Sequence, residues 1–146
     1  MTNQITVINA NKPEFKPYIQ QVLEQTIGSG EAAEQPGIAW FLLAKDDAPI
    51  GLVYAKALSD IRVFIDILVV PEYEKAPGRK EAVETVLHAI VTASPTPRKI
   101  EALVVDGDKL KMRLLSKLGF KREGVCKNSL VVGNTIVDQT YMGVLL

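Results

Sequence analysis

Asp108 to Gly124 reads DKLKMRLLSKLGFKREG, and the fold turns on how this stretch is read. Leu110, Leu114, Leu115 and Leu118 recur at helical spacing. Asp108 stands where a side-chain oxygen accepts the first free N–H groups, and Gly119 suits the positive φ of a helix stop. A helix over Leu110 to Leu118 therefore hands Phe120 directly to a strand.

Working outward, Ile100 to Val105 (IEALVV) is a strand before that helix, and SPTPRK at Ser94 to Lys99 is a breaker before the strand. Arg79 to Ala93 has Ala82, Val83, Val86, Leu87, Ile90 and Val91 on one helical side. Upstream, Arg62 to Val70 is a strand ending at Pro71, which has no N–H to give a ladder. Ile38 to Lys45 and Ile50 to Ala57 read as antiparallel strands joined by a tight turn over Asp46-Asp47-Ala48-Pro49. Gly28 to Gly37, with three Gly and one Pro, reads as a mobile connection. Phe15 to Ile27 is an amphipathic helix following Pro13, and Ile5 to Asn9 is a short first strand. Downstream, Gly133-Asn134 joins Lys121 to Val132 and Thr135 to Leu146 as a hairpin. The order β α β β β α β α β β has three consecutive strands, so a purely parallel doubly wound sheet is excluded. A mixed α/β (α+β) sheet with helices on both faces fits.

The 146 residues suit one domain, 1–146, large enough to bury a core without metal or disulfide support. The 17 Lys and Arg offset the 17 Asp and Glu, so the field that drives binding to nucleic acid or an anionic membrane is missing. No apolar run approaches the roughly 20 residues that span a bilayer. A single Cys126 and an N-terminus, MTNQITVINANKPEF, without the pattern of a signal peptide lead us to expect a cytoplasmic protein. His88 has no His, Cys or carboxylate at ligand spacing, so no metal site is expected.

The Leu110 to Leu118 helix with Gly119-Phe120, ILVVPEY at Ile67 to Tyr73, and the Gly- and Lys-containing loop that follows resemble the GCN5-related N-acetyltransferase (GNAT) superfamily. The resemblance implies a GNAT-like acyl-CoA N-acyltransferase fold with a mixed, mostly antiparallel sheet. It also implies acetyl-CoA as acyl donor and an amine acceptor on a small molecule or protein.

In that family a loop at the start of a helix cradles the cofactor pyrophosphate with converging N–H groups. Its pattern is Arg or Gln, two residues, Gly, one residue, then Gly or Ala. Here Lys75-Ala76-Pro77-Gly78-Arg79-Lys80 matches only with Lys75 in the first place and Lys80 in the last; counted from Pro71 without a shift, Glu74, Pro77 and Arg79 fall there. Pro77 gives no N–H, so Lys75, Arg79 and Lys80 would act as side-chain cations around Gly78. Ordinary surface cations on a solvated loop are the alternative. The resemblance further implies that the strand edge at Leu68, Val69 and Val70 bonds the pantetheine amides.

Direct attack by an amine requires a base for the amine and a proton for the departing thiolate. The family's usual Tyr for the second task falls at Leu115, which donates nothing, and its Asn seven residues earlier falls at Asp108. Asp66, a carboxylate within the apolar FIDILVV, is the candidate base. It matches an acidic position frequent in the family; pairing with Arg62 is the structural alternative. Tyr141 and Asp138 on the last strand are further candidates, for substrate contact or proton donation.

Two function classes follow: an acetyl-CoA-dependent N-acetyltransferase, or a catalytically weak or inactive GNAT-like domain that binds a protein or coenzyme A. The C-terminal strand Thr135 to Leu146 is the expected contact of a homodimer.

Overall fold

A computed structural model describes residues 4–93 and 96–146. Met1 to Asn3 at the N-terminus, and Ser94 and Pro95 within the expected breaker, lie outside the described residues. Seven strands form one sheet: β1 (Thr6–Asn9), β2 (Ile38–Lys45), β3 (Ala48–Ala57), β4 (Arg62–Val69), β5 (Lys99–Val105), β6 (Lys121–Val132) and β7 (Thr135–Leu145), in the spatial order β1-β2-β3-β4-β5-β7-β6. Among the described residues only the β4–β5 pair is parallel. Three helices, α1 (Lys16–Ile27), α2 (Arg79–Thr92) and α3 (Lys109–Lys117), cover it.

Strand alternation divides the core between two faces. Trp40, Leu42 and Leu52 point to one, where Ile19, Val22 and Leu23 of α1 close over them. Phe41, Leu43, Val53, Ile65, Ile67, Ile100 and Ala102 point to the other, beneath Val83 and Val86 of α2 and Leu114 and Leu115 of α3. The mixed, mostly antiparallel sheet with helices on both faces is therefore the observed architecture. No helix among the described residues is long and apolar enough to cross a membrane.

The α3 boundaries have the expected causes. Asp108 accepts the Lys111 N–H at 3.1 Å, and Gly119, with φ 93°, ends the helix as the Phe120 N–H bonds the Leu115 carbonyl at 3.0 Å.

Three expectations change. The β2–β3 turn is only Asp46 and Asp47, both at positive φ (51° and 66°), the two-residue hairpin geometry that follows strand twist. Ala48 and Pro49 join β3, where a bulge beside Ala44 absorbs the proline. The Gly28 to Gly37 connection contains a 3-10 turn, Glu31–Glu34, whose Ala32 and Ala33 pack against the α1 core. Finally, β7 is not an edge for a second copy to pair with: it lies between β5 and β6, and β6 is the outer strand.

Strands β4 and β5 pair only at Arg62 with Lys99, Val63 with Ile100 and Phe64 with Glu101. Beyond Phe64, β4 follows β3 as far as Val69 while β5 follows β7 as far as Val105, so the sheet opens into a wedge-shaped gap.

Candidate active site

The gap exposes backbone that a neighbouring strand would otherwise satisfy. The Val70 N–H donates to the Ile50 carbonyl at 2.8 Å, which turns the even-numbered residues toward β3. By alternation Ile67 and Val69 turn their N–H and C=O groups into the gap. The edge expected at Leu68, Val69 and Val70 is thus presented in backbone terms by Ile67 and Val69. Leu68 and Val70 instead send their side chains into the α1 core.

Two clefts meet there. On the α2–α3 side a cleft of about 180 Å³ is lined by Leu68, Val69, Glu74, Arg79, Asp108 and Lys111, among others. Of the residues expected at the cofactor loop it gathers Arg79, and it also gathers Asp108, expected at the cofactor from its place at the start of α3. Lys75 is exposed and lines no part of it, Gly78 is set back as the α2 cap with φ 92°, and Lys80 turns to Glu84, 3.6 Å away. The Arg79 Nε donates to the Ala76 carbonyl at 3.0 Å, which leaves its terminal nitrogens without a protein acceptor among the described residues. No side chain caps the first N–H groups of α2. An uncapped helix start beside a half-free guanidinium fits a phosphate. The Glu74 carboxylate in the same cleft opposes one, so the group fits with a weakened hold at its anionic end.

On the α1 side a cleft of about 440 Å³ has an aromatic floor. Trp40 and Tyr54 pack at 5.6 Å between centroids, and Tyr54 and Phe64 at 6.4 Å. Leu23, Ile27, Leu58 and Leu103 add apolar walls, and Lys56, Arg62, Asp66, Glu101 and Tyr141 supply the polar groups. Burial, reinforced by the nearby Asp66 charge, pushes the Tyr54 hydroxyl up to about 12, so it stays protonated and able to donate. The neighbouring Cys126 thiol is the main cause that holds Tyr141 above the ordinary tyrosine value.

Leu68 lines both clefts, and Asp66, two residues before it, lines the aromatic one. The Asp66 Oδ1 accepts the Ile67 N–H at 2.8 Å and the Lys111 Nζ at 3.0 Å, and Oδ2 has no donor among the described residues. Asp66 faces the α1 side, level with Tyr54, whereas α3 lies on the opposite face. The Lys111 side chain therefore reaches Asp66 through the opening in the sheet.

The alternative pairing of Asp66 with Arg62 is not what the chain does. Arg62 binds Glu101 with two prongs, Nε to Oε2 at 2.5 Å and Nη2 to Oε1 at 2.9 Å. The register places Arg62 four residues from Asp66 but beside the first residues of β5. Asp138 is engaged at the far hairpin, accepting the Asn128 N–H at 2.8 Å, and lines neither cleft.

Sequence reasoning missed Glu101 and Lys111. Glu101 carries the signal that flagged Asp66, an acid inside an apolar strand. Lys111 carries none beyond its position one turn after Asp108, because its partner is 45 residues away in the chain.

No protein-family model matches the chain, and no curated protein matches its sequence. Solved structures do match in three dimensions. The dodecameric spermidine N-acetyltransferase from Vibrio cholerae superposes with a TM-score of 0.82 over 99% of this chain and 95% of its own, at 18% identity. An acetyltransferase of the GNAT family from Streptococcus pneumoniae gives 0.81 over 98% and 100%, at 16% identity. The ribosomal-protein-S18-alanine N-acetyltransferase from Escherichia coli gives 0.80 over 97% and 94%, at 13% identity. With the opened β4–β5 pair and the α3 helix leading through Gly119 into β6, these likenesses establish that the chain has the GNAT acyltransferase fold.

Proposed function

We propose that the chain is an acyl-CoA-dependent N-acyltransferase that moves acetyl from acetyl-CoA to an amine by direct attack. One observation carries this reading: an anion-compatible cleft and an aromatic cleft adjoin at Leu68, which lines both, and the Lys111–Asp66 contact joins a residue of the first to a carboxylate of the second. Acetyl-CoA laid along the first cleft would bring its thioester through the β4–β5 gap, with Val69 and the carbonyl of Ile67, whose N–H is taken by Asp66, offering backbone partners to the pantetheine arm. An amine in the second cleft would approach from the α1 side, over Tyr54, and lose its proton to Asp66. Because the floor is aromatic and the walls apolar, the acceptor is an amine on an apolar body, from a small molecule or a chain terminus.

Two measurements test this. Titration calorimetry with acetyl-CoA and with coenzyme A, at low and high salt, should show binding that weakens with salt, because Arg79 and the uncapped α2 start hold the phosphates. A panel of apolar and polar amines, followed by release of free thiol, should then show transfer to apolar amines. No binding at millimolar ligand overturns the reading. Binding with no thiol release from any amine leaves a coenzyme A-binding module instead.

A further inference from the structure

Lys111 links the two clefts by a polar contact: it lines the α2–α3 cleft, and its Nζ lies 3.0 Å from the carboxylate of Asp66, which lines the aromatic one. It projects from α3 one turn before Leu115, where the residue is fully buried and has no proton to give. We propose that Lys111 is the acid of the reaction, delivering its proton to the coenzyme A sulfur as the thioester breaks. This deepens the acyl-transfer reading and rests on it.

The step balances without any further reactant. The amine nitrogen bonds the acyl carbon, the carbon–sulfur bond breaks, and its electron pair goes to sulfur. Lys111 Nζ gives the sulfur a proton while the amine proton passes to the free Oδ2 of Asp66. The carboxylic acid so formed then returns a proton to the neutral lysine amine it touches, which restores the ion pair. One contact thus links the base to the acid, and each cycle ends with both in their starting states.

The same placement predicts a measurable effect when no acceptor is present. A lysine ammonium beside a bound thiol favours the thiolate. The other charges facing Lys111 are Asp66 on β4, Glu74 before α2, Arg79 on α2 and Asp108 on its own helix; Tyr54 and Glu101 lie beyond Asp66 in the aromatic cleft. Among the described residues only Asp66 pairs with it.

The experiment follows the ultraviolet absorbance of the coenzyme A thiolate against pH, free and bound, for the unaltered protein, Lys111→Gln and Lys111→Arg, each also titrated with acetyl-CoA. In the unaltered protein the bound thiol should ionise at least about one pH unit below the free thiol. Lys111→Gln should abolish the shift, while Lys111→Arg, which keeps the charge, should retain it. A bound thiol that ionises like the free one, or a shift that survives in Lys111→Gln, overturns the proposal while the acyl-transfer reading stands. Failure of coenzyme A and acetyl-CoA to bind the unaltered protein overturns that reading and the proposal with it. Thermal melts of both variants separate loss of the charge from loss of the fold.

Discussion

Arg62 clamps Glu101 across the last rung at which β4 and β5 still pair. Glu101 is buried with 6% of its side chain exposed, whereas Arg62 keeps 47% of its own in solvent. The clamp stands at the vertex of the gap, so whatever fixes the angle of the two strands acts through it.

Arg62→Ala should therefore cost more than loss of a surface ion pair, since it strands a buried carboxylate. We expect a measurable destabilisation, smaller than that of breaking a fully buried pair because the arginine is half exposed. Urea denaturation checks it. Arg62→Ala combined with Glu101→Gln should recover part of the loss, because no charge is then left buried.

Acid should act through the same pair. The hydrogen bond from Arg62, more than its charge, holds the Glu101 carboxyl below the ordinary 4.5, against the opposing effect of burial. A folded-state pKa below the unfolded one means that the unfolded chain binds more protons. The contribution is complete above the ordinary glutamate range and is lost as pH falls through the lowered value. Urea midpoints from pH 7 to pH 3 should fall less steeply in Glu101→Gln than in the unaltered protein. Parallel curves would show that Glu101 carries no acid sensitivity.

Asp66→Asn should lower turnover by about 10² to 10⁴-fold, the usual contribution of a general base, while acetyl-CoA affinity changes little. Its stability cost should be about 1 kcal/mol or less, because both partners of the Lys111 pair keep more than a fifth of their side chains in solvent. Steady-state rates set beside calorimetry separate the two effects. Unchanged turnover would remove Asp66 from the chemistry.

Leu115→Tyr places the family's usual proton donor at its usual position, and we expect no gain from it. Leu115 is fully buried. Extra ring volume there should cost about 1–3 kcal/mol in overpacking, with a further penalty for a hydroxyl that lacks a partner. A lower urea midpoint with no rise in turnover is the expected outcome; a rise would mean that the helix can roll its 115 position toward the gap.

Much of this fold was legible because local rules carried it. The leucine spacing of α3, Asp108 at its start and Gly119 at its end are events within a dozen residues, and the structure reproduces them. What failed was non-local. Nothing in Thr135 to Leu145 says that β7 will be inserted between β5 and β6, because its pairing with β5 joins segments more than thirty residues apart in the chain. The site divides the same way. Asp66 stands out as an acid in an apolar run, whereas Lys111 is one of several lysines on an amphipathic helix until the sheet opens beneath it. Lys75 and Lys80, which by sequence looked like the loop's cations, point away from the cleft because the turn at Pro77-Gly78 directs only Arg79 inward.

The opening between β4 and β5 is a slot formed by the absence of a neighbour. Its walls are peptide groups, which every residue type carries alike, so almost any apolar sequence able to hold the two strands apart preserves it. Selection on such a slot acts on the angle of two strands rather than on the letters within them. A frame of this kind tolerates dissimilar sequence: this chain superposes at TM-scores of about 0.8 on structures with which it shares 18% identity or less.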